Sequence, residues 1–118
     1  HDLIYLNTVT DIKTRDQLRE FIEKDKNYFI YITATWCGPC RVTKPKVIEY
    51  LKQIKNKGAD FTFLLLDADE CRDIVRFFKV KAFPTSLCLI KNQVEDICVG
   101  GGDEDLAAFF NASYKKLR

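Results

Sequence analysis

Tyr28-Phe29-Ile30-Tyr31-Ile32-Thr33-Ala34-Thr35-Trp36-Cys37-Gly38-Pro39-Cys40 is the stretch on which the reading of this 118-residue chain turns. Its first eight residues are a near-continuous run of β-branched and aromatic side chains, which predicts a strand buried on both faces. A helix is predicted straight after it, from Cys37 to about Lys57. Val47, Ile48, Leu51 and Ile54 mark its apolar face and Gly58 its stop. Pro45 lies inside that helix and predicts a kink. The two cysteines at the junction sit three positions apart. Such positions share one helix face, which brings the sulfurs within reach of a disulfide and its demanding geometry. A pair that closes and opens can exchange disulfides with other proteins.

Outward from this stretch the pattern alternates. Leu3 to Val9 reads as a strand. Thr14 or Arg15 to Lys24 reads as a helix, with Leu18, Phe21 and Ile22 on one face. Phe61 to Leu66 is a second buried strand, and Asp69 to Phe78 a short helix with Asp69 as N-cap. Thr85 to Ile90 and Val94 to Val99 are strands joined by the turn Lys91-Asn92-Gln93. Asp103 is expected to cap a last helix with apolar face Leu106, Phe109, Phe110 and Tyr114. The predicted order is βαβαβαββα. Helices between the early strands imply parallel pairing, and the late hairpin an antiparallel edge.

Composition narrows the class. Hydrophobic residues make up 47% and charged residues 31%, as expected of one soluble globular domain over residues 1–118. Nineteen basic and seventeen acidic side chains leave +2, too little to point to nucleic acid or a membrane surface. The densest basic spot is the end Lys115, Lys116 and Arg118. No apolar run approaches the length that spans a bilayer. His1 at the start and the lack of Met read as an added or processed end, and a leader removed ahead of this numbering is compatible with that. Five cysteines with one close pair are not a secreted disulfide framework. They fit a reducing compartment with one working dithiol.

The surroundings suit a reactive sulfur. Cys37 falls at a helix N-terminus, where unpaired backbone N–H groups carry partial positive charge and stabilise a thiolate. Cys40, one turn deeper, is expected to be less open to solvent. Cys37 therefore reads as the sulfur that attacks a substrate disulfide, and Cys40 as the one that resolves the mixed disulfide. Gly38 is expected to allow close backbone approach. Pro39 suits the first helical turn, and Trp36 offers a flat apolar surface beside the sulfurs. A zinc site normally needs a second Cys or His pair, and the only histidine is His1, so no metal is expected. A purely structural disulfide would gain little from closing so short a loop.

Ala34-Thr35-Trp36-Cys37-Gly38-Pro39-Cys40 with Lys44-Pro45, followed by Val80-Lys81-Ala82-Phe83-Pro84-Thr85, resembles the thioredoxin family. Leu66 to Cys71 and Gly100 to Leu106 align with it too, so the resemblance covers the chain from Leu6 onward. It implies an α/β thioredoxin fold, a central mixed five-stranded sheet flanked by four helices. It implies a redox-active Cys37–Cys40 disulfide with a cis Pro84 against Cys37. It also implies a substrate groove at Phe83 and Pro84, flanked by Gly100 and Gly101. Read without it, Pro84 is a strand-start proline and the two glycines a turn needing positive φ.

One position departs from the family. Thioredoxins usually bury an Asp six residues before the first active cysteine, where this chain has Tyr31. The Lys commonly near it is replaced by Phe63. A neutral Tyr is a poor base at pH 7. The resemblance thus implies that Cys40 ionises with other help, such as water, and that resolution is slower. Single-turnover kinetics of Tyr31→Asp would show an unchanged resolving rate if that were wrong. Tyr31 also reads simply as a core aromatic whose hydroxyl is satisfied locally.

The resemblance implies a protein-disulfide reductase with no bound cofactor, fed electrons from NADPH through a separate thioredoxin reductase. Its partners would be disulfide-containing proteins, its state monomeric and its location cytoplasmic. Two other readings stand beside it: an oxidase- or isomerase-type domain of the secretory pathway, and a thioredoxin-fold binding module with a weakly active dithiol. Cys71, beside Asp69 and Glu70, reads as a packing residue whose thiolate the carboxylates disfavour, and Cys88 and Cys98 as core.

Overall fold

A computed structural model describes residues 2–117. His1 and Arg118, named above as an added end and as part of a basic end, lie outside the described residues. The elements are α1 (Asp2–Tyr5), β1 (Thr8–Val9), α2 (Arg15–Phe21), β2 (Asn27–Thr33), α3 (Gly38–Asn56), β3 (Thr62–Asp67), α4 (Arg72–Phe77), β4 (Thr85–Ile90), β5 (Gln93–Val99) and α5 (Asp103–Leu117). The five strands form one mixed sheet in the order β1-β3-β2-β4-β5. β3 lies parallel to both β1 and β2, while β4 and β5 run antiparallel, as the order of helices and strands predicts.

β2 is the axis of the molecule. Tyr28, Ile30 and Ile32 point into one core with Leu18 of α2, Ile74 of α4, Leu64, Leu66, Leu87 and Leu89. Phe29 and Tyr31 point into the other, with Val47, Leu51 and Ile54 of α3 and Leu106, Phe109 and Phe110 of α5. Alternation along a strand sends neighbours to opposite faces. A helix pair therefore covers each face, and β2 is apolar on both. Full burial of each large apolar side chain stabilises by about 1.5–3 kcal/mol. The site lies where β2 runs out into α3.

Several boundaries differ from expectation. Leu3 to Val9 is not one strand. Residues 2–5 form a helical turn, Leu6 N–H donates to Asp2 O, and Asn7 adopts a left-handed φ of 54°. Only Thr8 and Val9 remain to pair with Phe63 and Leu64. This adds a fifth, short helix to the four predicted. Asp69 is not the N-cap of α4. The Asp67 side chain accepts from Asp69 N–H and the Asp67 carbonyl from Glu70 and Cys71 N–H, so a turn precedes a helix that starts at Arg72. Gln93 belongs to β5 and pairs with Ile90, leaving a two-residue turn in which Lys91 and Asn92 both have positive φ. That turn matches the twist of a hairpin. Gly102, not Asp103, supplies the carbonyl that accepts from Leu106 N–H at the start of α5. Gly58 ends α3 as predicted, with φ 97° and Ala59 N–H donating back to Ile54 O.

Candidate active site

The end of β2 delivers Ala34, whose carbonyl accepts from Cys37 N–H at 3.1 Å, and this tight turn aims the chain into α3. Cys37 is the N-cap of α3. Its Sγ takes the place usually held by a Ser or Asp oxygen, accepting from Cys40 N–H at 3.2 Å. Pro39 occupies the first turn, where its missing N–H is not needed. Cys37 and Cys40 form a disulfide with Cα atoms 5.4 Å apart. Both residues are buried, Cys40 the more deeply.

The loop before β4 closes on the sulfurs. Cys37 Sγ lies 3.6 Å from the Phe83 carbonyl, and the Phe83–Pro84 peptide is cis. Thr85 Oγ1 donates to Ala82 O at 2.7 Å and Gly100 N–H to Pro84 O at 2.7 Å. The carbonyls on either side of Phe83 are thus held, which fixes the peptide between them. Trp36 is 66% exposed and packs edge-on against Phe83, ring centres 5.8 Å apart. Trp36 and the two cysteines therefore meet the loop of Phe83 and the cis Pro84, the juxtaposition of Pro84 and Cys37 that the family resemblance implies.

Of the two glycines read as a turn needing positive φ, Gly100 fits and Gly101 does not. Gly100 has φ 84°, a conformation a side chain would strain. Gly101 has no such need, but a Cβ there would meet Thr43 Oγ1 at 1.9 Å. Its role is close approach to α3, not turn formation. A Cβ on Gly38 would meet nothing within 4 Å, so nothing in the chain requires close approach at that residue. Thr43 is a neighbour that the sequence does not announce. A threonine inside a helix carries no signal that a distant loop, at Gly101, will rest against it.

Tyr31 is fully buried, and its hydroxyl donates to the Cys40 carbonyl at 2.9 Å. Burial pushes the phenol well above its ordinary range, so it stays protonated. Phe63 is fully buried on β3, next to Phe29 in register. The remaining sulfurs are sheltered. Cys71 donates to Ile12 O at 3.1 Å, and its thiol is raised chiefly by burial, against the opposing pull of Lys13, with Glu70 adding to the rise. Burial also raises the thiol of Cys98 and pushes that of Cys88 up to about 11. Among the described residues no three His, Cys, Asp or Glu side chains gather into a metal site.

The family description that matches this chain is Thioredoxin, over residues 9–112. A Thioredoxin H-type from Picea mariana is 37% identical over 92 residues, covering 78% of this chain and 70% of that protein. Thioredoxin H3 of Arabidopsis thaliana is 32% identical over 107 residues, covering 91% and 86%. The solved thioredoxin of Malassezia sympodialis superposes with TM-score 0.75 at 27% identity, covering 90% of each chain.

Proposed function

The chain belongs to the thioredoxin family, a thiol–disulfide oxidoreductase of the protein-disulfide reductase type, and from that premise we propose that Cys37 attacks and Cys40 resolves. The observation that carries this is the Cys40 N–H aimed at Cys37 Sγ at the tip of α3. A thiolate formed there accepts that hydrogen bond and meets the positive end of the helix, which lowers thiol pKa values at such positions. The deeper Cys40 attacks only what Cys37 has already bound. Trp36, Gly38 and Pro39 shape the surface around the sulfurs.

The substrate's extended segment pairs with backbone at Phe83 and Pro84, beside Gly100 and Gly101, in the manner of an added strand. The fixed Phe83 carbonyl close to Cys37 supports that reading. Electrons come from NADPH through a separate thioredoxin reductase, and the chain itself holds no cofactor. It works as a monomer in the cytoplasm. The three other cysteines, free and buried, suit a reducing compartment, and among the described residues no helix is long and apolar enough to cross a membrane. The matched span takes in both active cysteines and the cis proline, which supports treating the chain as one domain.

The test is NADPH-coupled reduction of insulin disulfides with a thioredoxin reductase. Cys37→Ser should abolish turnover. Cys40→Ser should stall on a covalent mixed disulfide with substrate. Turnover that survives Cys37→Ser would refute the assignment.

A further inference from the structure

Tyr31 sits in the middle of β2, opposite Leu65 of β3 and Ser86 of β4, with its ring in the core that holds Phe29, Val47 and Leu51. Its hydroxyl leaves the sheet plane to meet the first turn of α3 at the Cys40 carbonyl, 2.9 Å away. The side chain has 0% exposure, so no bulk water competes for that bond.

The first four N–H groups of a helix have no intrahelical partner. Pro39, within that turn, has no N–H. Gly38 restrains the backbone least of any residue. Pro45 lies inside the helix and cannot donate to the carbonyl of Arg41, four residues earlier. Alongside the bonds from Cys37 N–H to Ala34 O and from Cys40 N–H to Cys37 Sγ, the Tyr31 hydroxyl ties this turn to the central strand, and it ends on the backbone of the resolving cysteine itself.

We propose that Tyr31 is a positioning residue of the resolving step: its O–H···O=C bond pegs the turn that carries Cys40 to the rigid central strand. This rests on the assignment of Cys40 as the resolving sulfur. In that step the Cys40 thiol gives its proton to solvent and its sulfur attacks Cys37 Sγ in the mixed disulfide. The Cys37–Cys40 bond forms and the bond from Cys37 to the substrate sulfur breaks. The bonding pair leaves on the substrate sulfur, which takes a proton from solvent. The substrate disulfide is reduced by two electrons and the protein dithiol oxidised. Tyr31 exchanges no proton at any point. It limits the positions Cys40 samples while Cys37 is tied to substrate, so its loss slows the second exchange and spares the first.

Stopped-flow reaction of the reduced protein with an aromatic disulfide, whose thiol product absorbs visible light, separates the two exchanges as two bursts. In Tyr31→Phe the second burst should slow about three- to tenfold, the span of one neutral hydrogen bond. The first should stay within about twofold, the ratio of two equal rates being the control for a purely structural effect. The pH profile of the second burst should keep its shape. A variant with 3-fluorotyrosine at this position keeps the hydroxyl and should resolve like the wild type. An unchanged second burst in Tyr31→Phe, equal slowing of both, a lost ionisation in the pH profile, or a fluorotyrosine variant as slow as the Phe variant would each overturn the proposal. Cys40→Ser must lose the second burst. If it keeps that burst, the assignment of Cys40 has failed, and the cause is distinguished from a failure of Tyr31.

Discussion

Gly101→Ala probes the link between the catalytic helix and the loop behind the cis proline. The new Cβ would lie 1.9 Å from Thr43 Oγ1, 2.9 Å from its Cβ and 3.0 Å from its Cγ2. Ordinary contact starts near 3.4 Å, so a shift of about an ångström or more is forced, as in an overpacked core. Thr43 is 3% exposed and cannot swing into water. A β-branched side chain in a helix has few rotamers, so little relief comes from rotation. The loop must therefore move. Overpacking of this kind costs about 1–3 kcal/mol, or about 4–12 °C in Tm for a domain of this size. The displacement reaches Pro84 through the bond from Gly100 N–H to Pro84 O, so activity should fall along with stability. Thr43→Ala removes Oγ1 and Cγ2, and the remaining 2.9 Å contact with the residue-43 Cβ is one that a small shift relieves. The double variant should then recover at least about 1 kcal/mol relative to additivity. Thermal melts and insulin-reduction rates of the four proteins complete the cycle. A Gly101→Ala protein that melts like the wild type, or strictly additive losses, would refute the reasoning.

Other outcomes follow from single groups. Ser86 Oγ is buried and has no hydrogen-bond partner among the described residues, so Ser86→Ala should raise stability by up to about 1 kcal/mol in urea unfolding, opposite to most core substitutions. Thr14→Ala removes the capping box with Gln17 at the start of α2 and should cost about 1 kcal/mol while leaving insulin reduction unchanged. Burial raises Cys88 from 9.0 to about 11. A group raised on folding contributes stability that is complete below its unfolded pKa and fades as pH climbs through the folded value. Stability should therefore decline between about pH 9 and 11, by about 2–3 kcal/mol from this thiol. Cys88→Ala should show a shallower decline in denaturant titrations at pH 8 and pH 10.5. An equal decline would assign the effect to other groups.

The legible parts of this molecule are those where one local rule decides. The apolar run into Trp36-Cys37-Gly38-Pro39-Cys40 predicts a buried strand breaking into a helix with Cys37 at its N-terminus, and both are present, the helix starting at Gly38 with Cys37 as its N-cap. The cis Phe83–Pro84 bond agrees with the family resemblance, not with any local propensity. Legibility ends where two local rules compete or where partners are distant in sequence. Asp69 has the composition of an N-cap, but Asp67 captures its N–H first and moves the helix start to Arg72. Leu3 to Val9 has a strand's composition, yet only Thr8 and Val9 find a ladder partner. Tyr31 reads locally as a core aromatic, which it is. That its hydroxyl ends on Cys40 depends on how α3 crosses the sheet. The contact between Gly101 and Thr43 has the same origin.

Because neighbouring residues of β2 serve opposite cores, the strand cannot gain or lose one residue without exchanging the contents of both. A single-codon deletion between Tyr28 and Thr33 would send the phenol of Tyr31 toward α2 and rotate the sulfurs out of phase with the proline loop. An added residue is therefore far less disruptive at the exposed Lys91–Asn92 hairpin tip than in the one strand that leads to the chemistry.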